Sequence, residues 1–369
     1  MPERPRPEAT FRALTGLRFL AAAHVVWFHV GPTTGVAALD RIRSWGWTAV
    51  TLFFVLSGFV LAHRYPRLDG RDALRGFWWA RIARIFPAHA FALVATLLAL
   101  VATGALASWP AGWTGRPLGF AVELLLLHAW IPLTGGLNLP DWTLSVEVAF
   151  YALFPLILPR LARLGRGPPI GLAALCVAAY AASFGVAQAI ATGLGPIPPS
   201  PGGFGWFNNL PLTRLPAFVL GMALARWVAE PEGARVLERR APLLTLVGAV
   251  GTLALMAATA LPWPALESMG TALLPFQALL VLGLAGDRGP LGRLLGSRPL
   301  VRLGDWSYGI YLYQLPVLIA LGATWPRDHG RFGSFTGFGA YLLLLVAASG
   351  LLFHLLEDPA RRSLRRLGA

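Results

Sequence analysis

The first long apolar run, FRALTGLRFLAAAHVVWFHV, carries Arg12 at its very start and, deeper in, Arg18, His24 and His29. Such a group in a hydrocarbon layer is costly unless paired, so each is a candidate for function. Arg18 and His29 are eleven residues apart. At about 100° per residue they share one helix face, roughly 16 Å apart along the axis. A guanidinium toward one end and an imidazole toward the other could hold two ends of one elongated ligand. The plainer alternative has Arg18 snorkelling to the interface and His29 hydrogen-bonding a neighbouring helix. His24 falls about 140° away on another face and reads as packing.

Four further stretches carry polar groups into apolar surroundings. In NLPDWTLSVEVAFYALFPL, Asp141 and Thr143 can cap a helix entering at Trp142. Glu147 then lies about 8 Å below the outer surface, level with His29. A carboxylate beside an imidazole fixes its tautomer and stabilises the imidazolium, as a general base for a hydroxyl requires. The alternative partner for Glu147 is Arg214. In RGFWWARIARIFP, Arg81 and Arg84 are one turn apart and can point together at an anion, with Arg75 nearby. The guanidinium fork suits phosphate, although an interfacial positive cluster anchored by Trp78 and Trp79 has the same composition. GDWSYGIYLYQLP brings Ser307, Tyr308, Tyr311, Tyr313 and Gln314 onto one span, where polar contacts between helices are the ordinary use. EDPARR at 357–362 reads as a helix stop and a basic tail.

The elements that hold these groups follow from composition. The chain has 369 residues, 56% hydrophobic and only 13% charged, with a mean hydropathy of +0.61. Few charges and many Leu, Phe and Trp exclude disorder. A single cysteine, Cys176, excludes a disulfide scaffold. All 31 basic residues are Arg, and net charge is +14. They lie between apolar runs and not on a polar face, which points to lipid headgroups and not to nucleic acid.

Ten apolar runs have spanning length, near 11–30, 46–63, 85–107, 142–159, 169–192, 212–229, 241–262, 268–286, 304–325 and 333–356. An eleventh, 117–130, is too short to cross and reads as re-entrant or interfacial. With both termini cytoplasmic, the arginine-rich loops all fall inside. Arg41, Arg43, Arg116, Arg327 and Arg331 alone fall outside, and Arg18 and Arg214 fall within spans. The expected fold is all-α and polytopic: about ten transmembrane helices and one short re-entrant or interfacial segment. It forms a single domain over 1–369, with a short tail at 1–10 and a basic tail at 357–369. The first run is read as a retained helix and not a signal peptide. The uncharged loop 193–211 is a linker or a lid.

Taken together, these motifs resemble the acyltransferase-3 family of integral membrane O-acyltransferases. The resemblance runs from about 11 to 360. It rests on Arg18 and His29, on FFVLSGFVL at 53–61, and on Arg81 and Arg84. It continues in Trp142, Leu144, Ser145 and Glu147 followed by FYALFPL, and in SYGIYLYQLP. It implies transfer of an acyl group from cytoplasmic acyl-coenzyme A, acetyl-CoA foremost, to a hydroxyl at the outer face of the plasma membrane. It implies no metal. The acceptor is a cell-envelope glycan or a glycosylated small molecule such as a macrolide. His29 is then the base, oriented by Glu147, and Arg18, Arg81 and Arg84 hold the donor. Trp142, Ser145, Arg214, Ser307 and Tyr311 shape the site. Two positions depart from the family pattern: Gln314 replaces a His, and Ala217 stands where an acidic residue is common. A non-enzymatic transporter is the competing class.

Overall fold

The computed structural model describes residues 11–108, 117–131, 136–164, 167–191, 209–259, 270–286, 288–322 and 334–367. The tail at 1–10 and most of the loop 193–211 lie outside them. Among the described residues there is no strand. The helices, in chain order, are α1 (Arg12–Val30), α2 (Ala37–Ser44), α3 (Ala49–Arg64), α4 (Gly70–Ala102) and α5 (Pro117–Leu124). There follow α6 (Trp142–Ala162), α7 (Ile170–Ala191), α8 (Pro211–Val228), α9 (Pro231–Ala258) and α10 (Leu274–Leu284). The chain closes with α11 (Gly289–Leu295), α12 (Arg298–Ala320), α13 (Phe335–Leu352), a π-turn (Phe353–Glu357) and α14 (Asp358–Leu367).

Among the described residues, each of the ten apolar runs is mainly helical. Six helices among the described residues are long and apolar enough to cross a bilayer, or up to seven if one bent pair is a single span. The protein is therefore an all-helical polytopic chain. One boundary differs from the sequence reading, and the short 117–130 run agrees with it. The stretch expected as a cytoplasmic run before 85 is the first half of α4, a 33-residue helix that continues through Pro87. The 117–130 run is an eight-residue helix followed by a 3₁₀ turn at His128–Trp130, too short to cross.

Large apolar side chains point outward along several helices. Leu98 on α4, Leu253 on α9 and Leu343 on α13 are all more than half exposed. A lipid solvent accounts for such outer faces. Inside, small residues let backbones meet. A Cβ on Gly58 of α3 would lie 2.0 Å from the Phe218 carbonyl of α8, and one on Gly221 would lie 2.1 Å from the Val55 carbonyl. The α3–α8 crossing is thus closed by two glycines facing each other's backbone, the usual solution where no hydrophobic force drives helices together. Gly304 of α12 meets the Thr15 carbonyl of α1 in the same way. Around the first crossing, Phe150 of α6 stacks on Phe218 at 4.7 Å, and Phe54 of α3 meets Phe150 edge-on at 5.2 Å. These contacts fix α1, α3, α6 and α12 about a common interior.

Candidate active site

Two cavities lie in that interior. The first, about 250 Å³, is lined by five guanidiniums: Arg18 of α1, Arg64 of α3, Arg81 and Arg84 of α4, and Arg361 of α14. Arg81 sits over the rings of Tyr65 and Tyr151, at 5.6 and 5.7 Å, and Arg64 over Tyr65 at 5.8 Å. Aromatic faces hold these planar cations without neutralising them. Glu147 and Ser307 line the same cavity. Arg18 lies in the combined field of Arg84, Glu147 and Asp305. The arrangement suits a polyanion: several forked donors, one carboxylate to temper their repulsion, and an apolar wall.

The second cavity, about 280 Å³, holds His29 of α1 together with Trp142 of α6, Arg214 of α8 and Gln314 of α12. Its walls are otherwise mainly aromatic and aliphatic, including Phe28, Trp47 and Tyr341. Arg214 is buried with its guanidinium over Trp142 at 5.5 Å and over Phe184 at 5.1 Å, and it donates to the Tyr180 hydroxyl. The two cavities share Val50 and Tyr311 as lining residues. Arg18 of α1 thus opens on one cavity and His29, about three turns further along, on its neighbour.

The state of the imidazole follows from its partner. Gln314 donates Nε2 to the Tyr311 carbonyl one turn back, at 2.7 Å. Its Oε1 is thereby turned to His29 Nδ1, also at 2.7 Å. An amide oxygen only accepts, so Nδ1 carries the proton and Nε2 of the neutral ring carries the lone pair. The Tyr341 hydroxyl donates to the Gln314 backbone carbonyl at 2.7 Å and fixes the α12–α13 contact behind it. The position where the family pattern has a second His thus holds a neutral amide that orients the first.

Three expectations are corrected. Glu147 was expected beside His29, or else beside Arg214. It lines the guanidinium cavity, whereas both of those residues line the other. Its depth was reckoned from a helix starting at the surface, but α6 starts inside: Asp141 is 1% exposed. Asp141 also makes no cap hydrogen bond to α6. Its carboxylate lies between two imidazoles, 3.5 Å from His89 Nδ1 and 3.3 Å from His128 Nε2. Ser145 lines neither cavity. It is fully buried, donates to the Leu126 carbonyl and accepts from the Ala129 amide, which binds the α5 region to α6. His24 behaves as packing, with Nε2 on the Ile42 carbonyl at 2.7 Å.

Sequence reasoning passed over several residues. Arg64 and Arg361 join the guanidinium cavity, the latter because α14 folds back onto α4. His89, Glu123 and His128, which gather around Asp141, were also missed. Glu123 accepts from the amides of Leu137 and Asn138 at 2.7 and 2.8 Å. Ionisable residues within apolar runs were the signal available for these three, since His89 lies in 85–107 and Glu123 and His128 in 117–130. No group of three or more His, Cys, Asp or Glu with metal-binding geometry occurs among the described residues.

A family profile described as an acyltransferase domain matches residues 11–354. The chain is 34% identical over 391 residues to Acyltransferase MdmB of Streptomyces mycarofaciens, with 96% of this chain and 92% of that protein covered. It is 27% identical to Nodulation protein 10 of Rhizobium leguminosarum bv. viciae, covering 94% of this chain and 92% of the other. To O-acetyltransferase OatA of Staphylococcus aureus (strain NCTC 8325 / PS 47) it is 23% identical, covering 95% of this chain but only 57% of that protein. No solved structure matches it. The matched region runs from the residue before α1 into the π-turn after α13, so it takes in both cavities, save Arg361, and the helices that build them. On that evidence the chain belongs to the acyltransferase-3 family and is a membrane enzyme that transfers acyl groups.

Proposed function

We propose that this enzyme moves an acyl group from acyl-coenzyme A, held in the guanidinium cavity, to a hydroxyl presented to His29 in the adjoining cavity. The carrying observation is the pair of abutting cavities, one lined by five guanidiniums and one holding the His29 imidazole hydrogen-bonded through Nδ1 to the Gln314 amide. Arg81 and Arg84, with Arg64 and Arg361, bind the donor's phosphates, and Arg18 lies along the path of its thin arm. Acetyl-CoA is the leading donor, in keeping with the O-acetyltransferase relative. The arginine-rich end faces the cytoplasm, both termini lie there, and ten helices cross the plasma membrane.

Chemistry follows from the imidazole. His29 Nε2 takes the hydroxyl proton as the acceptor oxygen adds to the thioester carbonyl. Gln314 holds the ring and accepts from Nδ1 of the imidazolium. Collapse of the tetrahedral intermediate breaks the C–S bond, and the imidazolium proton goes to the departing thiolate. The ester and free coenzyme A are the products. Glu147 offsets the mutual repulsion of Arg18 and Arg84 and so keeps the donor cavity assembled. Trp142, Arg214 and Tyr341 shape the acceptor cavity.

The acceptor is a hydroxyl of a glycan or of a glycosylated small molecule. The aromatic walls formed by Phe28, Trp47 and Trp142 favour a compact acceptor with an apolar face, and so lend weight to the small-molecule reading. The deciding experiment is His29→Ala, with membrane insertion and yield checked alongside acyl transfer. A general base contributes about 10²–10⁴-fold, and a loss of that order is expected. Transfer near the wild-type rate would remove His29 from the role.

A further inference from the structure

Tyr311 is one of two residues that line both cavities, with Val50, and it is the larger. Its ring stands at the junction, edge-on to Phe53 at 6.1 Å. Its hydroxyl donates to the Pro140 carbonyl at 2.9 Å. Pro140 is itself held from behind. Glu123 takes the amides of Leu137 and Asn138, the Asn138 side chain donates to the Leu312 carbonyl at 3.3 Å, and Asp141 sits between His89 and His128. Two buried carboxylates, the buried imidazole of His89 and the partly buried one of His128 thus fix the segment that carries the acceptor of Tyr311's hydrogen bond. No step of the proposed chemistry uses these groups, and this is what they hold in place.

We infer that Tyr311 is a partition between the donor and acceptor cavities, latched to the Pro140 carbonyl and displaced when a thioester passes toward His29. This rests on the proposed function for what passes, but not for the partition itself. The partition keeps the two aqueous mouths of the protein from communicating across the membrane. It also keeps water from the acceptor side off the thioester. Without it, water adds to the thioester carbonyl, the C–S bond breaks, and a carboxylic acid and coenzyme A thiol are released with no acceptor consumed. Tyr311 is a positioning residue in this account, and its backbone carbonyl, which holds Gln314, remains in every side-chain variant.

The test uses the full chain in sealed membrane vesicles of either orientation. Ser57 lines the donor cavity, so Ser57→Cys is placed in a Cys176→Ala background and treated with a membrane-impermeant maleimide. With Tyr311 present, labelling is expected from the arginine-rich side only. With Tyr311→Ala it becomes two-sided, and Tyr311→Leu, which keeps more of the packing, gives the same gain if the alanine variant fails to insert. Acetyl-CoA hydrolysis without acceptor is measured on the same proteins with Ser57 restored, and is expected to rise in both variants. Labelling that stays one-sided in the inserted variants overturns the partition. Two-sided labelling in a protein whose wild type never cleaves acetyl-CoA supports the partition and overturns the proposed donor instead.

Discussion

At His29 the question is what sets the direction of its lone pair. The amide of Gln314 is pinned by the Tyr311 carbonyl, so its oxygen has one orientation and the ring one tautomer. Gln314→Leu removes a buried hydrogen bond worth about 1 kcal/mol, and kcat is expected to fall roughly five- to tenfold. The donor's KM should stay put, because the arginines are untouched. Gln314→Glu keeps an acceptor oxygen in reach and should retain kcat, which steady-state kinetics on both variants would check. Glu147 behaves in the opposite sense. Its place among Arg18 and Arg84 predicts that Glu147→Gln raises the donor's KM more than it lowers kcat. A fall in kcat alone would return Glu147 to the imidazole. The Arg18–His29 relation was legible from the sequence because both lie on one helix, where spacing fixes direction. The His29–Gln314 pair joins helices 285 residues apart, and no spacing rule reaches it.

Helices decide whether those side chains can meet. The α3–α8 crossing places Ser57 and Arg64 toward the donor cavity, and it depends on Gly58 and Gly221. Gly58→Ala drives a methyl group into the Phe218 carbonyl, and overpacking of this kind costs about 1–3 kcal/mol. Lower thermal stability in detergent is expected, with reduced activity following from the loss of folded protein. The error over Glu147 arose at this same scale. Periodicity locates a residue along a helix but not the depth at which the helix begins, and α6 begins beneath the surface among His89, His128 and Asp141. Asp141 looked like a cap because its type and position fit one; burial between two imidazoles is a tertiary fact. Arg361 was read as part of a basic tail for a related reason, since the return of α14 onto α4 leaves no mark in local pattern.

For the whole molecule, the apolar runs pointed to a polytopic helical chain, and among the described residues each run is mainly helical. Within that architecture two cavities adjoin, one lined by guanidiniums and the other holding the His29 imidazole, and the proposed function makes them a route. The most direct measurement is an experimental structure of the His29→Ala protein with acetyl-CoA bound. The account predicts the pyrophosphate among Arg64, Arg81 and Arg84, the pantetheine arm passing Arg18, and the thioester directed past Tyr311 toward residue 29. Coenzyme A bound outside the guanidinium cavity, or bound there with its thioester turned away from Tyr311, would contradict it.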